Sequence, residues 1–174
     1  MALSGSQHDT VDTPTAGLVV LTCGLPGSGK TTHAQALERR GFVRLSIDEV
    51  IWQRIGHDAA ELDPDEYERL KADVENELRD ELVRLMNARL PVVVDYSFWS
   101  RERRERYKRL IEEHGCRWEL VHLKASRDTL LQRLRLRNGM DGANSVTVSE
   151  DLLNRYALTF EEPVGEGEQV IVQT

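Results

Sequence analysis

Residues 18–32 read Leu-Val-Val-Leu-Thr-Cys-Gly-Leu-Pro-Gly-Ser-Gly-Lys-Thr-Thr, and the reading of the whole chain turns on them. Leu18 to Cys23 is a short apolar run rich in β-branched residues, which predicts a strand buried on both faces. Gly24-Leu25-Pro26-Gly27-Ser28-Gly29-Lys30-Thr31 matches G-x-x-x-x-G-K-[ST] and precedes a helical stretch from about Lys30 to Arg40. Strand, glycine-rich turn and helix in that order are the context in which this motif has chemical meaning. The glycines let the backbone wrap an anion with its N–H groups pointing inward. The helix N-terminus adds partial positive charge at the same place.

The expected ligand is therefore a nucleoside triphosphate, together with Mg2+. Lys30 reaches the β- and γ-phosphates, the Thr31 hydroxyl ligates Mg2+, and Thr32 follows in the same site. The loop alone does not say where the γ-phosphate goes.

Working outward, Gly41 ends the first helix as a C′ residue, and Phe42 to Leu45 is a second strand. Asp63, Pro64 and Glu66 make an N-cap, an N1 proline and an approximate capping box. Tyr67, Leu70, Val74, Leu78, Leu82 and Leu85 then mark one apolar helical face reaching about Ala88, a pattern read as core packing rather than as a partner surface. Val92-Val93-Val94-Asp95 is a third strand and Ser100 to Glu113 a charged helix. Trp118 to Leu123 is a fourth strand. Ser126 caps a helix from Arg127 to about Arg137, Asn138 to Val148 is a polar mobile loop, and Ser149 caps a helix to about Phe160. Glu168 to Val172 is the last strand. This alternation predicts a three-layer α/β fold of the P-loop NTPase type, with a five-stranded parallel sheet and helices on both faces. One domain spans 17–174, with an Arg-bearing lid at about 126–148 and a polar, fraying tail over 1–16.

Composition narrows the function. The chain has 174 residues, 40% hydrophobic and 30% charged, which is ordinary for one globular domain. Its formal net charge of -7 makes a large nucleic-acid footprint unexpected, although a local basic patch stays open. No apolar run approaches the roughly 20 residues that cross a bilayer, and the start lacks the basic and apolar parts of a signal peptide, so a cytoplasmic protein is expected. Cys23 and Cys116 form no C-x-x-C pair and read as small buried hydrophobes in a reducing compartment. The five histidines show no metal-ligand spacing.

Three fates of the γ-phosphate remain: transfer to an acceptor, hydrolysis that drives motion, or a switch. The N-K-x-D element of guanine-specific switches is absent. Asp95 is followed by Tyr96 rather than by the Glu that would activate water, and the chain is too short for a motor module with a helical lid domain. A kinase needs a base for the acceptor hydroxyl and cations for transition-state charge. Asp48 follows the second strand, where the carboxyl ends of a parallel sheet gather ligands, and is the candidate base. A helix N-cap is its alternative role, and Glu49 the fallback base. Asp95 is placed to hold Mg2+ through water or to bind acceptor, or it is a structural hydrogen-bond acceptor. Arg133 and Arg137, four apart, share one helix face toward the nucleotide, unless that face is merely solvated. Arg101 and Arg104 sit nearest the third strand's end and are placed to touch an acceptor. The other cations of that helix alternate with glutamates and read as an ion-paired surface.

GLPGSGKTT at 24–32, SIDE at 46–49, VVVDYSFWSRERR at 92–104 and LLQRLRLRN at 130–138 together resemble the small P-loop kinases grouped with zeta toxins, chloramphenicol phosphotransferase and the kinase domain of polynucleotide kinases. The resemblance covers roughly Leu18 to Pro163. It implies that Asp48 is the general base, that Arg133 and Arg137 bind ATP phosphates, and that the stretch from Asp95 to Arg104 corresponds to the family's strand-end Asp and Arg-rich helix. Polynucleotide kinases of this kind carry an Arg three residues after the base, gripping the acceptor phosphate. Here Ile51 stands there, with Arg54 one turn further. Tyr96, Phe98 and Trp99 offer an aromatic wall for a small polar molecule, or belong to the core. The expected activity is ATP-dependent transfer of the γ-phosphate to a hydroxyl of a small-molecule acceptor. The alternatives are a polynucleotide 5′-hydroxyl kinase, and a nucleotide-binding regulator or weak ATPase without an acceptor.

Overall fold

A computed structural model describes residues 15–140, 142–143 and 147–174. β1 (Leu18–Cys23) leads through the glycine-rich loop into α1 (Lys30–Glu38), then β2 (Val43–Leu45) and α2 (Ile47–Ile55). A 3-10 turn (Gly56–Ala60) precedes the long α3 (Pro64–Asn87). There follow β3 (Val92–Val94), α4 (Arg101–Glu113), β4 (Arg117–Ala125), α5 (Arg127–Arg137), α6 (Glu150–Thr159) and β5 (Glu168–Gln173).

The five strands form one parallel sheet in the order β2-β3-β1-β4-β5. Alternation along β1 explains the layers. Leu18 and Val20 point to the α1 side, where they meet Ala34, Leu37, Phe42 and Val93. Val19, Leu21 and Cys23 point to the other side, against Val74, Leu82 and Met86 of α3 and Tyr107 and Ile111 of α4. A third, separate cluster of Leu130, Leu131, Leu134, Val148 and Leu153 joins α5 to α6. This small core lets the arginine-bearing helix stand as its own unit over the sheet's edge.

The capping box of α3 is complete: the Asp63 carboxylate accepts from Glu66 N–H at 2.8 Å and Glu66 accepts from Asp63 N–H at 3.2 Å. After α1, Gly41 has φ 98, Gly41 N–H bonds Glu38 O at 2.9 Å, and Phe42 N–H bonds Leu37 O at 3.2 Å. Those two bonds form the Schellman pattern, so Phe42 belongs to the helix stop and β2 begins one residue later than expected. β4 extends beyond 118–123 because Arg117 and Lys124 still pair in the ladders with Leu18 and Val172. Asn138 and Val148, the ends of the expected mobile loop, are tied together by two side-chain hydrogen bonds of 3.2 Å. Part of that loop, and most of the expected N-terminal tail, lies outside the described residues. Among the described residues no helix is long and apolar enough to cross a membrane.

Candidate active site

The register brings three chain segments together at the sheet's carboxyl edge. Leu21 lies level with Val94, and Val94 with Leu45. The glycine-rich loop, Asp95 and the Ser46–Asp48 turn therefore emerge side by side. Inside the loop, Gly24 has φ 149, and a Cβ there would stand 2.4 Å from Leu123 O. Gly27 has φ 81, and a Cβ would press to 3.3 Å on Leu134 of α5. The two glycines are required by close approach as well as by dihedral angle. The Ser28 hydroxyl is buried in the loop with no hydrogen-bond partner, as a group awaiting an anion would be.

Lys30 donates to Leu25 O at 2.9 Å. Burial pushes its pKa down to about 8, against the opposing pull of Asp95 and Asp48. Thr31 Oγ1 lies 3.4 Å from Asp95 Oδ1, and Asp95 Oδ2 lies 3.6 Å from Arg44 Nε. Burial raises the Asp95 pKa, while Arg44 and Lys30 work in the other direction. Asp95 Oδ2 is buried and accepts no hydrogen bond. A hydroxyl and a carboxylate whose Oδ2 is ion-paired with Arg44 but accepts no hydrogen bond make a hard donor set that fits Mg2+.

Ser46, not Asp48, caps α2: its hydroxyl accepts from Glu49 N–H at 3.3 Å. This corrects the N-cap alternative for Asp48, because the β-region backbone needed for a cap is found at Ser46 (φ -139, ψ 121). Asp48 instead occupies the first helical turn with its side chain open to solvent. Protein still crowds its carboxyl enough to raise the pKa, opposed by the charges of Lys71, Lys30 and Arg137. Those three cations come from α3, the first residue of α1, and α5.

Arg133 lies over the loop, donating to Gly27 O at 3.4 Å and to Thr174 O at 3.3 Å. Arg137 is held partly out of water, its Nε buried without a hydrogen-bond partner, and burial lowers its pKa against the attraction of Asp48. Four residues apart on α5, the two share one face of the helix.

Arg101 and Arg104 do not behave alike. Arg101 is exposed, with its backbone N–H bound by the Glu161 carboxylate at 2.6 Å. Arg104 is 0% exposed and pairs with Glu166 through two bonds of 2.7 and 2.8 Å. That burial corrects the expectation that Arg104 touches an acceptor. Tyr96 and Phe98 are likewise core, packed on Tyr107, whereas Trp99 is half-buried between Tyr156 and Phe160. Ile51 is 3% exposed, and Arg54 is held by the Glu77 carboxylate, with one bond of 3.1 Å. No free arginine therefore follows Asp48 on α2.

Sequence reasoning missed Arg44, Tyr67 and Lys71. Arg44 was detectable as a charge between the apolar residues of a short strand. Tyr67 and Lys71 are four apart on α3, with the ammonium 5.9 Å from the Tyr67 ring centroid. Tyr67 was absorbed into the apolar stripe, yet burial raises its pKa and the Asp48 charge adds to the rise.

The model of a family described as AAA domain matches residues 19–163. No curated protein matches the chain. Among solved structures, a gluconokinase from Sinorhizobium meliloti 1021 is similar, with 22% identity, 90% of this chain and 82% of that chain covered, and a TM-score of 0.56. Chaetomium thermophilum Kti12 in complex with ADP-AlF3 has 15% identity, coverage of 89% and 88%, and a TM-score of 0.67. A chain of the Pnkp1/Rnl/Hen1 RNA repair complex has 18% identity, coverage of 86% and 45%, and a TM-score of 0.63. The likeness is one of fold, a five-stranded parallel α/β sheet of the P-loop NTPase type.

Proposed function

The chain belongs to the AAA domain family, and from that premise we propose that it transfers the γ-phosphate of ATP to a hydroxyl of a small acceptor. The observation that carries this reading is the register at the sheet's carboxyl edge, which brings out Asp48, exposed in the first turn of α2, beside Asp95 and the glycine-rich loop that leads to Lys30. A carboxylate on α2, across from the phosphate loop, is placed to serve an acceptor. Water activation would call for one after Asp95, where buried Tyr96 stands instead.

In this mechanism the glycine-rich loop and Lys30 hold the β- and γ-phosphates. Arg133 and Arg137 close from α5 and balance the charge on the transferred group. Thr31 and Asp95 would hold Mg2+, which neutralises phosphate charge when bound. Asp48 Oδ accepts the acceptor's hydroxyl proton as the O–P bond forms, and ADP carries away the bond's electrons. Most of the acceleration is positioning and charge compensation. Arg101, exposed at the start of α4, is available to the acceptor's far side. Two unpaired buried cysteines fit a reducing, cytoplasmic setting.

The RNA repair neighbour supports a second reading, a polynucleotide 5′-hydroxyl kinase. The buried Ile51, the occupied Arg54 and the net charge of -7 weigh for a small acceptor such as the gluconokinase's name implies for that protein.

Asp48→Asn tests the reading. It keeps shape and leaves the Ser46 cap in place while removing basicity. Single-turnover transfer is expected to fall about 10²-fold or more. ADP affinity and melting temperature should stay near wild type, apart from a small loss of helix-dipole interaction. Unchanged transfer by a normally folded variant would reject Asp48 as the base.

A further inference from the structure

Arg104, Glu166 and Lys108 form a buried charged cluster that the phosphate chemistry does not use. The Arg104–Glu166 pair is bidentate, with the two side chains 0% and 2% exposed. Lys108 Nζ donates to Glu166 O at 2.7 Å. The remaining edge of the guanidinium matters most. Arg104 Nη1 donates to Phe98 O at 2.8 Å, and Cys23 Sγ donates to the same carbonyl at 3.5 Å. Phe98 has φ 43, a left-handed conformation in which a bulky non-glycine residue is strained. Ser97 O next to it accepts from Gly24 N–H at 3.3 Å. The segment that runs from Asp95 is thus bent through an unfavourable dihedral, fastened to the last residue of β1 and the first of the phosphate loop, and locked there by Arg104.

We propose that Arg104 and Glu166 are a positioning pair, which holds the Asp95–Trp99 loop against the phosphate loop so that Asp95 stays beside Thr31. The inference rests on the phosphotransferase reading for its effect on rate, but the pair's effect on the loop is measurable without an acceptor. A buried pair would persist for stability alone only weakly, since apolar residues of similar volume usually replace such pairs without loss. The strained carbonyl that the pair grips is what apolar residues cannot hold.

That difference separates the roles. Arg104→Met alone leaves the buried Glu166 carboxylate with only the Lys108 ammonium, 3.8 Å away, and should lower the melting temperature. Arg104→Met with Glu166→Met should bring the melting temperature back toward wild type while kcat stays down by about 10²-fold, the scale of a misplacement near one ångström. KM for ATP should change far less than kcat. ADP binding, measured by calorimetry with and without Mg2+, supplies a readout that needs no acceptor. Wild type should bind ADP more tightly with Mg2+, and the double variant should lose roughly tenfold of that gain. A double variant that regains melting temperature together with the full Mg2+-dependent gain would overturn the proposal, whatever acceptor is found. If the double variant does not fold, Arg104→Lys decides. It keeps a buried cation but cannot pair bidentately and reach Phe98 O at once. A folded Arg104→Lys protein with the full gain overturns the pair's role, and one with a reduced gain upholds it. Absence of transfer in wild type would instead reject the phosphotransferase reading and leave the calorimetric result to judge the pair.

Discussion

Lys30 sits where the cleft's charges balance. Its free-state pKa of about 8 comes from burial, and phosphates would push it back up. Binding must then be linked to proton uptake above pH 8. Protonated Lys30 is the binding form, so ADP affinity should hold below about pH 8 and fall as pH rises past it, by up to about tenfold per unit. Calorimetry in buffers of different ionisation enthalpy at pH 9 should register close to one proton taken up; no uptake would mean that Lys30 does not meet the phosphates. Lys30→Ala should remove this linkage and cut transfer by more than tenfold, roughly 1.4 kcal/mol of barrier. Arg133→Ala, by contrast, should lower kcat more than it weakens ADP binding, because its hold on Gly27 O is long at 3.4 Å and can be redirected to developing charge. Equal losses in kcat and affinity would reduce Arg133 to a ground-state contact. Lys30 and Thr31 were legible because a contiguous motif announces them. Arg104 was misread because its partner Glu166 is 62 residues away, and no local pattern marks an ion pair of that separation.

The helices that carry the site differ in length and capping, and the short α2 is aimed by its cap. α2 has nine residues, starts at the Ser46 cap, and projects Asp48 from its first turn. Ser46→Ala should cost about 1 kcal/mol of stability. It should also lower transfer, since the turn holding Asp48 frays. Thermal melting and single-turnover transfer on the same sample check this; lost stability with full transfer would show that Asp48 is aimed by packing rather than by the cap. Capping residues before α3, α5 and α6 were readable because Asp or Ser followed by periodic leucines is a local signal. The N-terminus of α2 was not, because Ile47 and Val50 continue the apolar character of β2 and blur the boundary. The ends of the 138–148 segment are more anchored than its polar, glycine-containing sequence implied. Asn138 clamps Val148, and the α5–α6 leucines give the pair its own core.

At the scale of the molecule, alternating strands and helices made the parallel three-layer architecture legible. The strand order β2-β3-β1-β4-β5 is a tertiary fact. It needed the facing of α1 against α3 and α4 to emerge, which no single segment encodes. That order puts β1 between β3 and β4, so the phosphate loop stands at the centre of the edge with Asp95 and Asp48 on one side and α5 folding over from the other. Under the proposed reading, a phosphoryl group moves sideways along this edge, from nucleotide to a neighbour at Asp48. The most direct test follows the phosphorus. ATP, Mg2+ and pooled small hydroxyl acceptors (polyols, sugar acids, nucleosides), with 5′-hydroxyl oligonucleotides in a parallel sample, are monitored by phosphorus NMR as the γ resonance falls. A phosphotransferase gives a phosphomonoester resonance that grows in step with ADP and is absent with Asp48→Asn. Inorganic phosphate as the only product, formed at one rate with and without acceptors, would contradict it.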